Sequence, residues 1–279
     1  MKLVGYRRDG DVWIGRLGPD DRLTPLAEVE TFYRDPAAHL AGAGEPSVAR
    51  SEVVEAPAAP AGARVFCVGL NYRAHAEEVG RTDLPPYPTL FARWTASLTT
   101  DGAPVPAVEE KLDWEGELLA VIGKRLSRVD AAAGLAGVMG YAVFNDVSAR
   151  TYQRHTQQWA VGKNADGSGP MGDIITADEI GDPAQGLEIV TRVNGEVMQR
   201  GSTSQMIYDV GQVIAYISEI ITLHPGDLIA TGTPDGIGAS RKPPIFLKAG
   251  DVVEVEIEKV GKISNPVVSV EDYQALSGG

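Results

Sequence analysis

The sequence predicts an α+β fold in which strands dominate, and three observations carry that prediction. Apolar and β-branched runs of four to eight residues recur along the chain between tight-turn signals, as at Asp9-Gly10 and Asn194-Gly195. One of these runs, Leu118 to Ile122, is uninterrupted by any polar residue, the pattern of a strand buried on both faces. Helical periodicity is sparse and does not alternate regularly with strands, which argues against a doubly wound parallel sheet.

Taken in order, KLVGYRR and DVWIGRL, within residues 2 to 17, form a β-hairpin around Asp9-Gly10. Pro25 to Leu40 reads as a short helical stretch broken at Pro36. Glu45 to Gly62, rich in Ala, Pro and Val, reads as a linker or an extended crossing segment. The boundary therefore falls near residue 60, with a small amino-terminal domain over 1–60 packed on a main body over 61–279.

The main body opens with a strand from Arg64 to Leu70, and Asn71 is placed to cap a short helix, Tyr72 to Val79. On that helix His75 and Glu78 are three apart and share a face, a spacing at which a carboxylate orients an imidazole but which also suits a solvated pair. Thr82 to Pro88, with three prolines, is a loop compatible with a mobile lid, and Thr89 to Arg93 returns to extended chain. In Leu112-Asp113-Trp114-Glu115-Gly116-Glu117-Leu118 the three acids alternate with other residues, so on a strand they share one side. Exposed, they would be the wet face of an edge strand. Running directly into Leu118 to Ile122, they stand instead at the mouth of a buried strand, where clustered carboxylates either hold protons or bind a cation. An oxygen-only set suits Mg²⁺, Mn²⁺ or Ca²⁺.

Asp130 caps a short helix leading into the strand Gly140 to Asp146, which brings one more carboxylate to a strand end. Arg150 and Gln153 lie three apart on a possible helix. GKNADGSGPMGD is a Gly-rich loop holding Lys163 and Asp166, but the phosphate-loop spacing is absent. Leu187 to Val193 and Glu196 to Gln199 form a second hairpin. Ser204 is placed to cap a long helix ending near Leu223, with Met206, Val210, Val213, Ile214, Ile217 and Ile221 as its core face. His224 to Asp227 stops it, Leu228 to Ala230 is a short strand, and Thr231-Gly232-Thr233-Pro234 is a turn exposing hydroxyls and N–H groups. Asp251 to Glu258 alternates as a strand wet on one face.

With 38 acidic against 25 basic residues the net charge is −13, which disfavours nucleic acid and anionic lipid as partners. A small anionic substrate then needs a local cationic site. Cys67, in Val65-Phe66-Cys67-Val68, is the single cysteine and reads as a buried strand thiol, so no intrachain disulfide forms. No segment approaches a signal peptide or a membrane span, and a cytoplasmic location is expected by default.

The order of Asn71-Tyr72-x-x-His75-x-x-Glu78, Asp113-x-Glu115-x-Glu117-Leu118, Asn145-Asp146-Val147-Ser148-Ala149-Arg150, Gln158-Trp159-x-x-Gly162-Lys163 and Thr231-Gly232-Thr233-Pro234-x-Gly236 resembles that of the fumarylacetoacetate hydrolase family, over roughly residues 64 to 270. The resemblance implies a mixed β-roll catalytic domain behind a small amino-terminal domain, a homodimer, and a divalent metal (Mg²⁺ or Mn²⁺) held by Glu115, Glu117 and Asp146. It implies that His75 and Glu78 form an acid/base pair on a lid. It also implies that Arg150, Gln153, Lys163 and Thr233, with Tyr72 and Arg93, contact substrate oxygens. The chain departs from the family's common pattern at Ala165 (an aromatic in many members), Thr151 (Asp), Asp173 (Pro) and Arg93-Trp94 (Lys-Pro), positions that flank the pocket more than the metal.

The activity expected first is metal-dependent hydrolysis of a C–C bond in a 1,3-diketo acid of the acylpyruvate type, the His75/Glu78 pair activating water. Two rivals use the same parts: decarboxylation of a β-keto acid such as oxaloacetate, and keto/enol or double-bond isomerisation. A metal-binding protein without catalysis would have no chemical need of His75 and Glu78.

Overall fold

A computed structural model of the chain describes residues 1–42, 44–81 and 86–276. Its backbone is the predicted α+β arrangement, a mixed β-roll dominated by strands. The largest sheet runs, edge to edge, through Val48–Ala49, Arg22–Glu28, Asp11–Leu17, Lys2–Arg8, Ile174–Thr176, Val138–Asn145, Gly116–Ile122, Leu228–Ala230, Arg64–Gly69 and Thr89–Trp94. Leu98–Thr100 joins it through Gly169–Met171. A five-stranded sheet, Glu196–Ser202, Glu188–Val193, Val252–Ile257, Gly261–Val268 and Val105–Pro106, lies against its middle.

The acidic strand is central to this arrangement. Gly116–Ile122 is flanked by Val138–Asn145 on one side and Leu228–Ala230 on the other. Because successive side chains point to opposite faces, Leu118, Ala120 and Ile122 enter one apolar cluster and Leu119 and Val121 the other, all fully buried. Truncating any of these leucines would cost about 2–5 kcal/mol. Helix Val210–Ser218 closes the first cluster with Val210, Val213, Ile214 and Ile217. Cys67 is buried in the second cluster.

The amino-terminal hairpin turns at Asp9-Gly10 with both residues at positive φ, and its first strand pairs with Ile174–Thr176, so the first 60 residues contribute four strands to the main sheet. Of the two expectations for Glu45 to Gly62, the extended crossing segment is the one the structure shows, since the chain there is tied along this hairpin. Arg7 N donates to Val54 O and Ala56 N to Gly5 O, while Arg50 grips Asp173 with two bonds of 2.8 and 3.0 Å.

Several local expectations change. The stretch from Pro25 begins as the end of strand Arg22–Glu28, and Pro36 starts a helix, Pro36–Ala41, capped by Asp35, rather than breaking one; a first-turn proline forfeits no helical hydrogen bond. Asn71 does not cap the next helix, Arg73–Glu78, because its amide is spent on Tyr208 and on Thr231 O. Ser204 lies in a one-turn helix, Thr203–Gln205, closed by Ser202 and Gln205. The long helix begins only at Val210, where Asp209 and Gln212 bond each other's backbone N–H, and it ends at Ser218. Thr82 to Leu84 of the expected lid loop, and Pro85, lie outside the described residues. Among the described residues no helix is long and apolar enough to cross a membrane.

Candidate metal centre and active site

Strand pairing builds the centre. Gly116 faces Asn145 across the ladder, and beyond it Asp146 N donates to Glu115 O (2.8 Å) while the Asn145 side chain accepts from Glu115 N (3.0 Å). These bonds set Asp146 beside Glu115, and one carboxylate oxygen each from Glu115, Glu117 and Asp146 lies within 4.8 Å of the others. Gly116, between the glutamates, leaves no room for a side chain: a Cβ there would meet Thr191 Oγ1 of the five-stranded sheet at 2.3 Å. Gln199 accepts from Gly116 N (3.0 Å) and donates to Thr233 Oγ1 (2.8 Å), and that hydroxyl donates to Gly116 O (2.9 Å).

Three buried cations surround the carboxylates. Lys163 Nζ lies 2.6 Å from both Glu115 and Asp146. Arg150 donates to Asp113 (2.8 Å) and Glu115 (2.7 Å), and to the Gln153 amide oxygen (3.0 Å). Arg93 pairs with Asp146 from the opposite side and also donates to Ser97, Ser168 and Val147 O. Asp113 stands behind the cluster, accepting from Gly238 N and Ala239 N as well as from Arg150. Four buried carboxylates (Asp113, Glu115, Glu117, Asp146) thus face three buried cations (Arg93, Arg150, Lys163), one negative charge in excess.

The excess sits on Glu117. Its carboxylate accepts from Gly232 N (2.8 Å), and among the described residues no cation touches it. Burial, then Asp146 and Glu115, push its pKa well above the usual carboxylate range. Burial acts on Glu115 in the same direction, but Lys163 and Arg150 outweigh it and hold that group low. Lys163 is raised, since Asp146 and Glu115 favour its charged form over the opposing effect of burial. A hard divalent cation fits this donor set: three carboxylate oxygens in reach, one of them with its charge uncompensated by the protein.

A cavity of about 390 Å³ opens above the cluster. Glu115, Glu117, Lys163 and Arg150 form its floor, and Gln153, Thr233 and His75 stand in its walls. His75 Nδ1 is 2.7 Å from Glu78 Oε1, and the other Glu78 oxygen accepts from Gly236 N (3.0 Å), so the pair is fixed to the turn that carries Thr233. No described residue bonds Nε2 of His75. Arg150 Nη2 is likewise buried without a partner. Phe91 and Trp159, edge to face with centroids 5.3 Å apart, make the apolar wall.

The remaining predicted contacts are placed elsewhere. Tyr72 is packed in the apolar core with its hydroxyl unpartnered, and Arg93 lies beneath Asp146 with its donors committed, so neither lines the cavity. The Thr233 hydroxyl hydrogen is already given to Gly116 O. Sequence reasoning did not find Gln199, whose bond to Gly116 N is made 83 residues away and which no local pattern marks, and it placed Asn145 in a motif without assigning it the bond to Glu115 N, 30 residues away. Phe91 too was passed over, being one apolar residue in an ordinary strand.

The chain resembles known proteins in both sequence and fold. The model of the fumarylacetoacetate (FAA) hydrolase C-terminal family matches residues 64–268. The human mitochondrial oxaloacetate tautomerase FAHD2A is 42% identical over 228 residues, covering 80% of this chain and 72% of its own. The crystal structure of 5-carboxymethyl-2-hydroxymuconate delta-isomerase from Mycobacterium smegmatis superposes with a TM-score of 0.77 at 33% identity, over 96% of this chain and 100% of the other. Fumarylpyruvate hydrolase from Pseudomonas aeruginosa, solved in complex with Mn²⁺ and pyruvate, superposes with a TM-score of 0.66 at 31% identity, over 74% of this chain and 89% of the other. With the family model spanning most of the chain and relatives alike in both sequence and fold, this protein belongs to the fumarylacetoacetate hydrolase family.

Proposed function

We propose that this protein is a divalent-metal-dependent enzyme that interconverts the keto and enol forms of a short 2-oxo acid of the oxaloacetate type. The observation that carries the reading is the single oriented base: His75, tied through Nδ1 to Glu78, faces the same cavity as Glu115 and Glu117. A bound divalent cation, held by Glu115, Glu117 and Asp146, would supply the positive charge that lowers the energy of an enolate. Arg150 offers Nη2 to the substrate carboxylate, since that nitrogen is buried and free of protein partners. Glu78 accepts a hydrogen bond from Nδ1–H, which keeps that proton on Nδ1 and leaves Nε2 as the basic nitrogen. Nε2 takes a proton from C3 and returns one to the enolate oxygen, so tautomerisation moves one proton and needs no water. Phe91 and Trp159 keep the C3 side of the cavity apolar. The tautomerase relative supports this choice of reaction.

Hydrolysis of an acylpyruvate, the activity expected first from the sequence, is the second reading, and the Mn²⁺- and pyruvate-bound fumarylpyruvate hydrolase favours it. The same His75 nitrogen would then take a proton from water. Decarboxylation of oxaloacetate needs no such base and leaves the His75/Glu78 pair unexplained. The test is to follow the enol absorption of oxaloacetate with purified protein and Mg²⁺ or Mn²⁺, beside acetylpyruvate in ¹⁸O-labelled water. Acceleration of the oxaloacetate equilibrium is expected, falling about 10²- to 10⁴-fold in His75→Ala. No acceleration with either metal would sink the reading, and ¹⁸O in the acid released from acetylpyruvate would install the hydrolase in its place.

A further inference from the structure

The outer wall of the cavity carries charge that the chemistry at its floor leaves unused. Arg81, three residues beyond Glu78, and Arg154, which ends the short helix Arg150–Gln153, both line it. Their surroundings differ from those of the inner cations. Arg93, Arg150 and Lys163 are each held by at least one carboxylate, whereas the guanidinium groups of Arg81 and Arg154 are exposed and make no hydrogen bond or ion pair with the described residues. In a chain of net charge −13, two arginines lining one cavity without an ion-pair partner among the described residues stand out.

Their placement has a direction. Arg154 follows Arg150 by four residues, and its N–H donates to Arg150 O (3.2 Å), so the two lie one above the other on one helical face. Four residues of helix separate the two backbones by about 6 Å along the axis, so the side chains leave the helix one turn apart. Both line the cavity, Arg150 buried and Arg154 exposed.

Charge balance points the same way. At the floor, one excess negative charge plus a divalent cation leaves one net positive charge, matched by one substrate carboxylate. The two arginines at the wall add positive charge that a second substrate carboxylate meets and the floor does not.

We propose that Arg81 and Arg154 form the subsite for the distal carboxylate of a dicarboxylic 2-oxo acid, so that the enzyme selects dicarboxylates over monocarboxylates sharing the same 2-oxo head. The inference rests on the enolisation reading for the orientation of the substrate, with its 2-oxo head at the floor. Arginine is suited to the task because its planar fork binds a carboxylate through two parallel bonds.

The experiment measures binding and chemistry separately in the Mg²⁺-loaded protein. Affinities for oxaloacetate and for pyruvate are determined by calorimetry for wild type, Arg81→Met, Arg154→Met and the double variant, and exchange of C3 hydrogens with deuterated water is read by NMR in parallel. Both side chains are exposed, so the variants should fold as wild type does. Wild type should prefer oxaloacetate. Each single variant should lose about tenfold in oxaloacetate affinity, as for one charge-assisted contact, with pyruvate unchanged. Arg→Lys at either position should restore part of the loss. Equal losses for both acids, no loss for either, or no preference in wild type would overturn the subsite. Intact selectivity without C3 exchange upholds the subsite and condemns the enolisation reading alone.

Discussion

Glu117→Gln keeps the volume of the side chain and the hydrogen bond from Gly232 N, and removes one negative charge from a cluster in which four buried carboxylates face three cations. In the metal-free protein that charge is a liability, because burial and the neighbouring Asp146 and Glu115 all disfavour it. The variant should therefore melt at or slightly above the wild-type temperature when both are held in EDTA. With metal the order reverses. An ion at a hundred times its dissociation constant stabilises the wild type by about 2.7 kcal/mol, which for a chain of this size is about 5–10 °C at roughly 2–4 °C per kcal/mol. A unit charge pair at about 4 Å and an effective dielectric near 20 is worth about 4 kcal/mol. Removing one of three anionic ligands therefore withdraws more than the whole of that gain, and the metal-induced shift should fall to near zero. Thermal melts of both proteins in EDTA and in excess Mg²⁺ or Mn²⁺ decide it, with circular dichroism to confirm the fold. A variant that melts well below wild type in EDTA, or keeps the full metal shift, would refute the reasoning.

Lys163→Met should behave in the opposite way. Leaving Glu115 and Asp146 without the ammonium 2.6 Å from each should cost the metal-free protein about 3–5 kcal/mol. The metal-induced rise in melting temperature should grow, and turnover of a 2-oxo acid should fall; an unchanged melting temperature in EDTA would contradict this. Arg93→Met should cost a similar about 3–5 kcal/mol with or without metal, because Asp146 loses a buried partner. Since Arg93 does not line the cavity, KM should change little in the variant protein that remains folded, and a large rise in KM would return Arg93 to the substrate contacts.

Much of this architecture was legible because it depends on neighbours in the chain. The run Leu118 to Ile122 announces a strand buried on both faces, the Asp9-Gly10 and Asn194-Gly195 pairs fix hairpins through positive φ, and Asp130 does accept from Ala133 N as an N-cap. The alternating acids point to a cation because their repulsion is a local fact. What the sequence could not show is where a polar side chain finds its partner when several are within reach of a fold but not of a motif. Asn71 has the right type and place for a cap, yet its amide is claimed by Tyr208 and Thr231, more than 130 residues away in sequence. Arg93 looks like a cation available to a substrate, and only tertiary pairing with Asp146, 53 residues on, commits it to the floor. The helix expected from Ser204 has the correct apolar period, but period does not distinguish a cap from a turn, and the reciprocal bonds of Asp209 and Gln212 decide the start.

Gly116 also bears on attempts to move this site into another host protein. Thr191 and Val255, which would be struck by any side chain at that position, belong to neighbouring inner strands of the five-stranded sheet, each hydrogen-bonded on both sides. That sheet cannot give way at one residue without carrying its ladder with it. The distance between the two sheets and the spacing of the two glutamates are consequently a single design variable. A graft that copied the carboxylates and the lysine but set them on a strand without such a close-packed second layer would reproduce the composition of the centre and lose the dimension that holds its ligands together.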